Sequence, residues 1–224
     1  MKCAILVDGS YFVKRYRALY PDWREKTATQ VTRDLYGGLL RNLRKANKNS
    51  PAKELYRIFF YDCPPLEKRL QNPVSKKGFN FGDSPEAHFR RELHQELKRF
   101  RKVALRLGRI EDNGYWIIKP LKTKDLLNHK ISLAELTEND VMYEARQKGV
   151  DMRIGLDISS LAYQKSVDQI ILIAGDSDFV PAAKLARREG IDFLLDPMWN
   201  NINPDLYEHI DGLISSWPKP QSKS

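Results

Sequence analysis

The sequence predicts an α/β fold built on a mostly parallel sheet, and three observations carry that prediction. Two short, almost wholly apolar runs, Cys3 to Val7 and Ile170 to Gly175, each lead into an aspartate, and a β-rich run from Leu55 to Tyr61 leads into Asp62. Runs of this length bounded by turn residues read as strands buried on both faces. Helix-compatible stretches separate them, which favours parallel crossovers. In such sheets the carboxyl ends of the strands face a ligand crevice. Asp8, Asp176 and Asp178 stand at two of those ends.

The chain has 224 residues, 42% of them hydrophobic, enough for one large domain with a sizeable insertion. The expected division is a single domain over 1–215, an insertion over about 64–140 between the second strand and the Asp151 helix, and a flexible tail over 216–224. No apolar stretch approaches the ~20 residues that span a bilayer. Met1 leads directly into a strand-like run, without a leader pattern, so the expected location is cytoplasmic with no membrane partner. Cys3 and Cys63 lie in or beside strand-like runs, with no second Cys or His at metal-ligand spacing, and read as reduced core thiols.

The net charge of +9 is unevenly placed: residues 151–224 hold 7 basic and 11 acidic residues, leaving 31 against 18 for residues 1–150. A basic body meeting an acidic carboxyl-terminal third suits a polyanion held by one region and cut in the other. An ordinary solvated surface accounts for the charge alone equally well.

Along the chain, Gly9-Ser10 makes a turn whose serine is placed to cap a helix carrying Phe12, Val13, Tyr16 and Leu19 on its apolar side. A helix-compatible stretch from about Thr32 to Ala46 precedes the second strand. The four prolines between residues 63 and 85 predict an irregular loop over the sheet. From Pro85 to about Lys102 the pattern is a basic amphipathic helix, with Phe89, Leu93, Leu97 and Phe100 on its apolar stripe. Val103 to Ile110 and Tyr115 to Ile118, separated by Glu-Asp-Asn-Gly, predict a hairpin. A helix capped by Asp151 carries Ile154, Ile158 and Leu161. After the strand ending at Ala174 come a helix with Pro181 in its first turn, a stop at Gly190, a strand over 191–195 and a short helix near Leu206 to Ile210.

Clustered carboxylates repel and are costly to bury, so they imply shared protons or a hard cation with oxygen ligands, Mg²⁺ or Mn²⁺. Asp176 and Asp178, at i and i+2, share one face of a strand end. Asp8 joins them if its strand lies beside theirs. Capping or turn formation explains an Asp-X-Asp alone about as well. Asp151 and Asp157 are separated by a rise of ~9 Å along a helix and take different roles. Asp157 lies on an otherwise apolar face where an unpaired charge is expensive.

Val7-Asp8-Gly9-Ser10, Lys148-Gly149-Val150-Asp151 through Gly155-Leu156-Asp157, and Ala174-Gly175-Asp176-Ser177-Asp178-Phe179-Val180-Pro181 together resemble bacterial NYN-domain proteins, the LabA-like branch of the PIN-like nucleases. The resemblance covers most of residues 1–215. It implies a Rossmann-like three-layer α/β/α domain and metal-dependent ribonuclease chemistry, with RNA, single-stranded or structured, as partner and a homo-oligomer left open. By position, Asp8, Asp151, Asp157, Asp176 and Asp178 match the family's acidic residues, with Asp8, Asp157, Asp176 and Asp178 the metal ligands. Ser10, Lys148, Arg153 and Ser177 are the expected substrate contacts. The family often has Asn at the third position after the first aspartate, where this chain has Tyr11. The alternative is an RNA-binding or scaffold module with a degenerate nuclease site.

Overall fold

The computed structural model describes residues 1–43 and 52–220. Strand β1 (Lys2–Asp8) runs into helix α1 (Gly9–Leu19), and α2 (Ala28–Arg41) leads to β2 (Glu54–Asp62). A small antiparallel pair, β3 (Arg69–Gln71) and β4 (Gly78–Asn80), comes before α3 (Pro85–Leu97) and β5 (Val103–Leu107). Next come β6 (Arg109–Ile118), α4 (Pro120–Leu127), β7 (Val141–Lys148) and α5 (Val150–Tyr163). The chain closes with β8 (Gln169–Ile173), α6 (Val180–Arg188), β9 (Asp192–Leu195), α7 (Pro204–Tyr207) and β10 (Gly212–Leu213).

Six strands form one sheet in the order β10-β9-β8-β1-β2-β5, every neighbouring pair parallel. Period-two alternation explains the layers. Ala4 and Leu6 of β1 enter the core beneath α5 and α6, whereas Cys3, Ile5 and Val7 enter the core beneath α1, α2 and α3. A strand apolar on both faces must be covered on both, and a three-layer α/β/α sandwich is the result. Fully burying one such Ile, Leu or Phe contributes about 1.5–3 kcal/mol. The sequence-predicted fold class is therefore the one observed.

The order of the strands positions the site. From β1 the chain moves outward through β2 to β5, then returns to the other side of β1 to lay down β8, β9 and β10. The reversal falls between β1 and β8, whose pairing ends at Val7 with Ile173. Ligands bind at such switch points, outside the carboxyl ends of the strands.

Several local expectations are corrected. The helix before β2 starts earlier than Thr32, because Thr27 and Gln30 form a capping box at its amino end. Its expected last residues, 44–46, lie outside the described residues. The hairpin expected over 103–118 does not form: β5 is the edge of the main sheet, paired with β2, and β6 pairs instead with β7. Asn113-Gly114 resembles a turn but makes a bulge inside β6, with Gly114 at φ 80° and its N–H donated to Asp112. The break is Gly108, where an added Cβ would lie 2.6 Å from the Lys148 carbonyl oxygen.

The expected insertion is thus not all outside the fold, since it contains α3 and β5. The expected tail also begins too early, because Trp217 is buried against Phe12 and fills the space beside Gly38. Cys3 and Cys63 are free and buried. Among the described residues no helix is long and apolar enough to cross a membrane.

Candidate functional site

At the carboxyl end of β1, Asp8 is the N-cap of α1, its Oδ1 accepting the Tyr11 amide at 3.0 Å. The cap is Asp8 and not Ser10, and Asp caps as well as Ser does. Gly9 follows because a Cβ there would meet the Phe60 ring at 2.6 Å and the Tyr61 carbonyl at 2.7 Å. On the neighbouring strand end, Asp176 Oδ1 accepts the Asp178 amide at 3.1 Å, and Ser177–Phe179 form a 3₁₀ turn that feeds α6. Asp176 and Asp178 are both exposed. Asp151 is in the first turn of α5 but does not cap it. Gly149, at φ 80°, makes the left-handed turn out of β7 and occupies the cap position.

Asp8, Ser10, Tyr11, Lys14, Gly175, Asp176, Ser177, Asn200 and Asn203 line one open depression of about 510 Å³. Burial pushes the Asp8 carboxyl up to about 6, and the charges of Asp151 and Asp62 add to the shift against the opposing Tyr11 and Ser10 amides. Burial also raises the Asp151 carboxyl, with further contributions from Asp176 and Asp178. Asp151 thus stands between Asp8 on one side and Asp176 and Asp178 on the other, close enough for its charge to raise Asp8 and for theirs to raise it. Among the described residues none of Asp8, Asp151, Asp176 and Asp178 has a salt-bridge partner.

Unneutralised carboxylate oxygens of this kind suit a hard divalent cation. Among the described residues no three Asp, Glu, His or Cys side chains stand together closely enough to hold an ion. The donor chemistry fits, and the Asp151, Asp176 and Asp178 side chains are exposed.

Asp157 stands in a different environment. It accepts the Tyr61 hydroxyl at 2.7 Å and lies 3.4 Å from Arg106. Burial and then the Asp157 carboxylate raise the Tyr61 phenol far above its ordinary value. The cost of a charge on this face of α5 is thus met by a hydrogen bond and an ion pair. Asp62, at the end of β2, is likewise neutralised, but fully buried: Arg90 Nη1 donates to both its oxygens at 2.7 Å and His94 Nε2 lies at 2.8 Å. Burial pushes Asp62 up, yet His94 and Arg90 outweigh it and hold the carboxyl below its ordinary range.

The expected substrate contacts divide. Ser10 and Ser177 line the depression. Lys148 is paired with Glu111 at 2.6 Å, and Arg153 is exposed on α5. Of the cations on α1, Lys14 lines the depression, while Arg15 donates to the Met198 carbonyl and Arg17 pairs with Glu86. Four of the six Lys and Arg of the α3 region are also engaged: Arg90 with Asp62, Arg91 with Glu67, Arg99 with Glu96 and Lys102 with Glu54.

Sequence reasoning missed the loop after β9. Asp196 is buried and accepts the Met198 amide at 2.9 Å; Met198 and Trp199 follow with φ of 48° and 60°. Side chains in that left-handed region are costly, and α1 holds them there. Tyr11 donates its hydroxyl to the Pro197 carbonyl at 2.7 Å, and Arg15 holds Met198. This carries Asn200 and Asn203 to the rim of the depression. The only signal in the sequence was the Tyr11 departure itself.

With this geometry in hand, comparisons locate the chain among known proteins. A crystal structure of a protein of unknown function from Vibrio parahaemolyticus is similar, at 17% identity over 95% of this chain and 91% of that one, with a TM-score of 0.43. No curated protein matches. The NYN domain model matches residues 81–214, more than half of the chain, which takes in Asp151, Asp157, Asp176 and Asp178 but not Asp8. The chain belongs to the NYN domain family, within the PIN-like nuclease superfamily.

Proposed function

We propose that this chain is a metal-dependent ribonuclease that hydrolyses RNA phosphodiester bonds at the depression between β1 and β8. The observation that carries the proposal is four carboxylates at the switch point of a parallel sheet, Asp8, Asp151, Asp176 and Asp178, none with a cationic partner among the described residues. Unpaired carboxylates facing an anionic strand are unfavourable unless a cation lies between them. Asp8, Asp176 and Asp178 would hold Mg²⁺ or Mn²⁺, with Asp151 orienting or adding a ligand. When bound, such ions lower the pKa of water and neutralise charge on the phosphate.

The chain's own residues supply position and selection. Lys14 on the rim presents an ammonium to a phosphate oxygen, the Ser177 hydroxyl and the Asn200 and Asn203 amides offer hydrogen bonds along the backbone of the strand, and Ser10, whose proton goes to Gln147, offers its lone pairs to a ribose hydroxyl. Asp8, held at Oδ1 by the Tyr11 amide, keeps a fixed orientation in the depression. In this reading Asp157, carried over from the family as a ligand, instead ties α5 to β2 through its hydrogen bond from Tyr61.

A second reading, RNA binding without hydrolysis, draws on one observation: no three carboxylates among the described residues are gathered at ligating separation. Labelled single-stranded and hairpin RNAs incubated with the purified chain and Mn²⁺, with and without chelator, separate the two. Chelator-sensitive product is the expected result. Salt-sensitive binding with intact RNA under every condition would replace hydrolysis by the second reading.

A further inference from the structure

A second cavity, of about 410 Å³, adjoins the acidic depression, with Pro64, Pro65, Leu66, Phe81 and Ile110 among its walls. Gln147 lines this cavity and Ser10 lines the depression, and their side chains are joined by a hydrogen bond of 2.9 Å from Ser10 Oγ to Gln147 Oε1. The two sites therefore share a ridge. A strand laid across it would have a phosphate on one side and a base on the other.

We propose that this cavity seats one unstacked nucleobase of the RNA, a base whose edge offers a carbonyl acceptor, as uracil, guanine and cytosine do. The proposal rests on the ribonuclease reading of the neighbouring depression and names the substrate feature that the chain selects. The volume falls in the ~300–1,000 Å³ range of small-ligand clefts, and apolar walls with a few fixed polar groups are what such clefts present. A phosphate is disfavoured: the Arg90 charge is already answered by Asp62 and Glu86, and Glu86 also pairs with Arg17. A flat, neutral ring suits the proline and Phe81 surfaces.

The polar groups set the preference. Arg90 spends Nη1 on Asp62 and Nε on Glu86, and among the described residues its Nη2 has no partner. Gln147 spends Oε1 on Ser10, and among the described residues its amide nitrogen has none. Both spare groups are donors only, so they match carbonyl oxygens, which uracil, guanine and cytosine carry and adenine lacks.

The test is fluorescence anisotropy of labelled oligo-U, oligo-A and oligo-C of equal length with the full chain in Ca²⁺, a hard cation that neutralises the carboxylates and activates water far less than Mn²⁺ does. Oligo-U and oligo-C are expected to bind about tenfold more tightly than oligo-A. Leu66→Trp fills the cavity and is expected to erase that preference. Gln147→Glu keeps an acceptor for Ser10 but removes the donor amide, and it should also erase the preference while leaving the thermal midpoint unchanged. Equal affinities for the three oligomers, or a preference that survives both variants, would overturn the base seat. Cleavage of the same RNAs in Mn²⁺ then separates the failures: cleavage without base preference removes the cavity alone, and neither binding nor cleavage removes both readings.

Discussion

The ring of Tyr11 occupies the space that a side chain at Gly175 would need: an added Cβ would lie 2.5 Å from Tyr11 Cε2 and 2.9 Å from its hydroxyl oxygen. The ring thus joins the end of β8 to the helix that follows β1, and its hydroxyl fixes the loop carrying Asn200. A double-mutant cycle in urea exposes this contact. Gly175→Ala alone is expected to cost about 1–3 kcal/mol through overpacking. Tyr11→Ala combined with Gly175→Ala should cost less than the two separate losses together, with a coupling of about 0.5–3 kcal/mol. Additive losses would mean that the two residues do not share this space.

Asp8 makes the metal-free protein sensitive to pH. Its folded carboxyl is raised from 3.8 to about 6, so the folded state binds the proton more tightly than the unfolded chain does. Stability from this group is present below pH ~4 and is lost as pH rises through ~6. Asn caps a helix as well as Asp does. Asp8→Asn is therefore expected to raise the unfolding free energy at pH 8 by about 1–3 kcal/mol and to leave it unchanged near pH 4. Urea melts at the two pH values check this, and a variant less stable at pH 8 would contradict it.

The Asp62 cluster has the opposite sign. Its carboxyl is held below the ordinary range by His94 and Arg90, so its contribution is present above the unfolded carboxylate pKa and is lost as pH falls through the folded value. Arg90→Met leaves a fully buried carboxylate with His94 alone and is expected to destabilise by about 3–5 kcal/mol at pH 7. The gap from the parent protein should narrow in acid. A gap independent of pH would assign the loss to packing of the Arg90 stem.

What was legible in the sequence follows from where the information lies. Strands β1 and β8 are buried on both faces, so their apolar runs stand out from any context, and the aspartates at their ends mark the crevice. Strand β5 is a half-buried edge, and the Asn113-Gly114 pair beside it imitates a hairpin turn. Its true partner, β2, is more than 40 residues earlier, beyond the reach of local pattern. The same limit applied at the site. Asp8 and Asp62 look alike as strand-end aspartates, and only partners 28 and 32 residues on, Arg90 and His94, turn Asp62 into a structural group. Gly9 and Gly175 owe their identity to Phe60 and Tyr11, which only the folded chain brings near.

The claim that the unneutralised carboxylates between β1 and β8 are a metal site is tested most directly by calorimetric titration of the metal-free protein with Mn²⁺. Asp176→Asn and Asp157→Asn serve as the paired variants. Saturable binding to the parent protein, weakened by about tenfold or more in Asp176→Asn, or about 1.4 kcal/mol, and retained in Asp157→Asn, is the expected result. Absent binding, or binding that Asp176→Asn leaves unchanged, would contradict it.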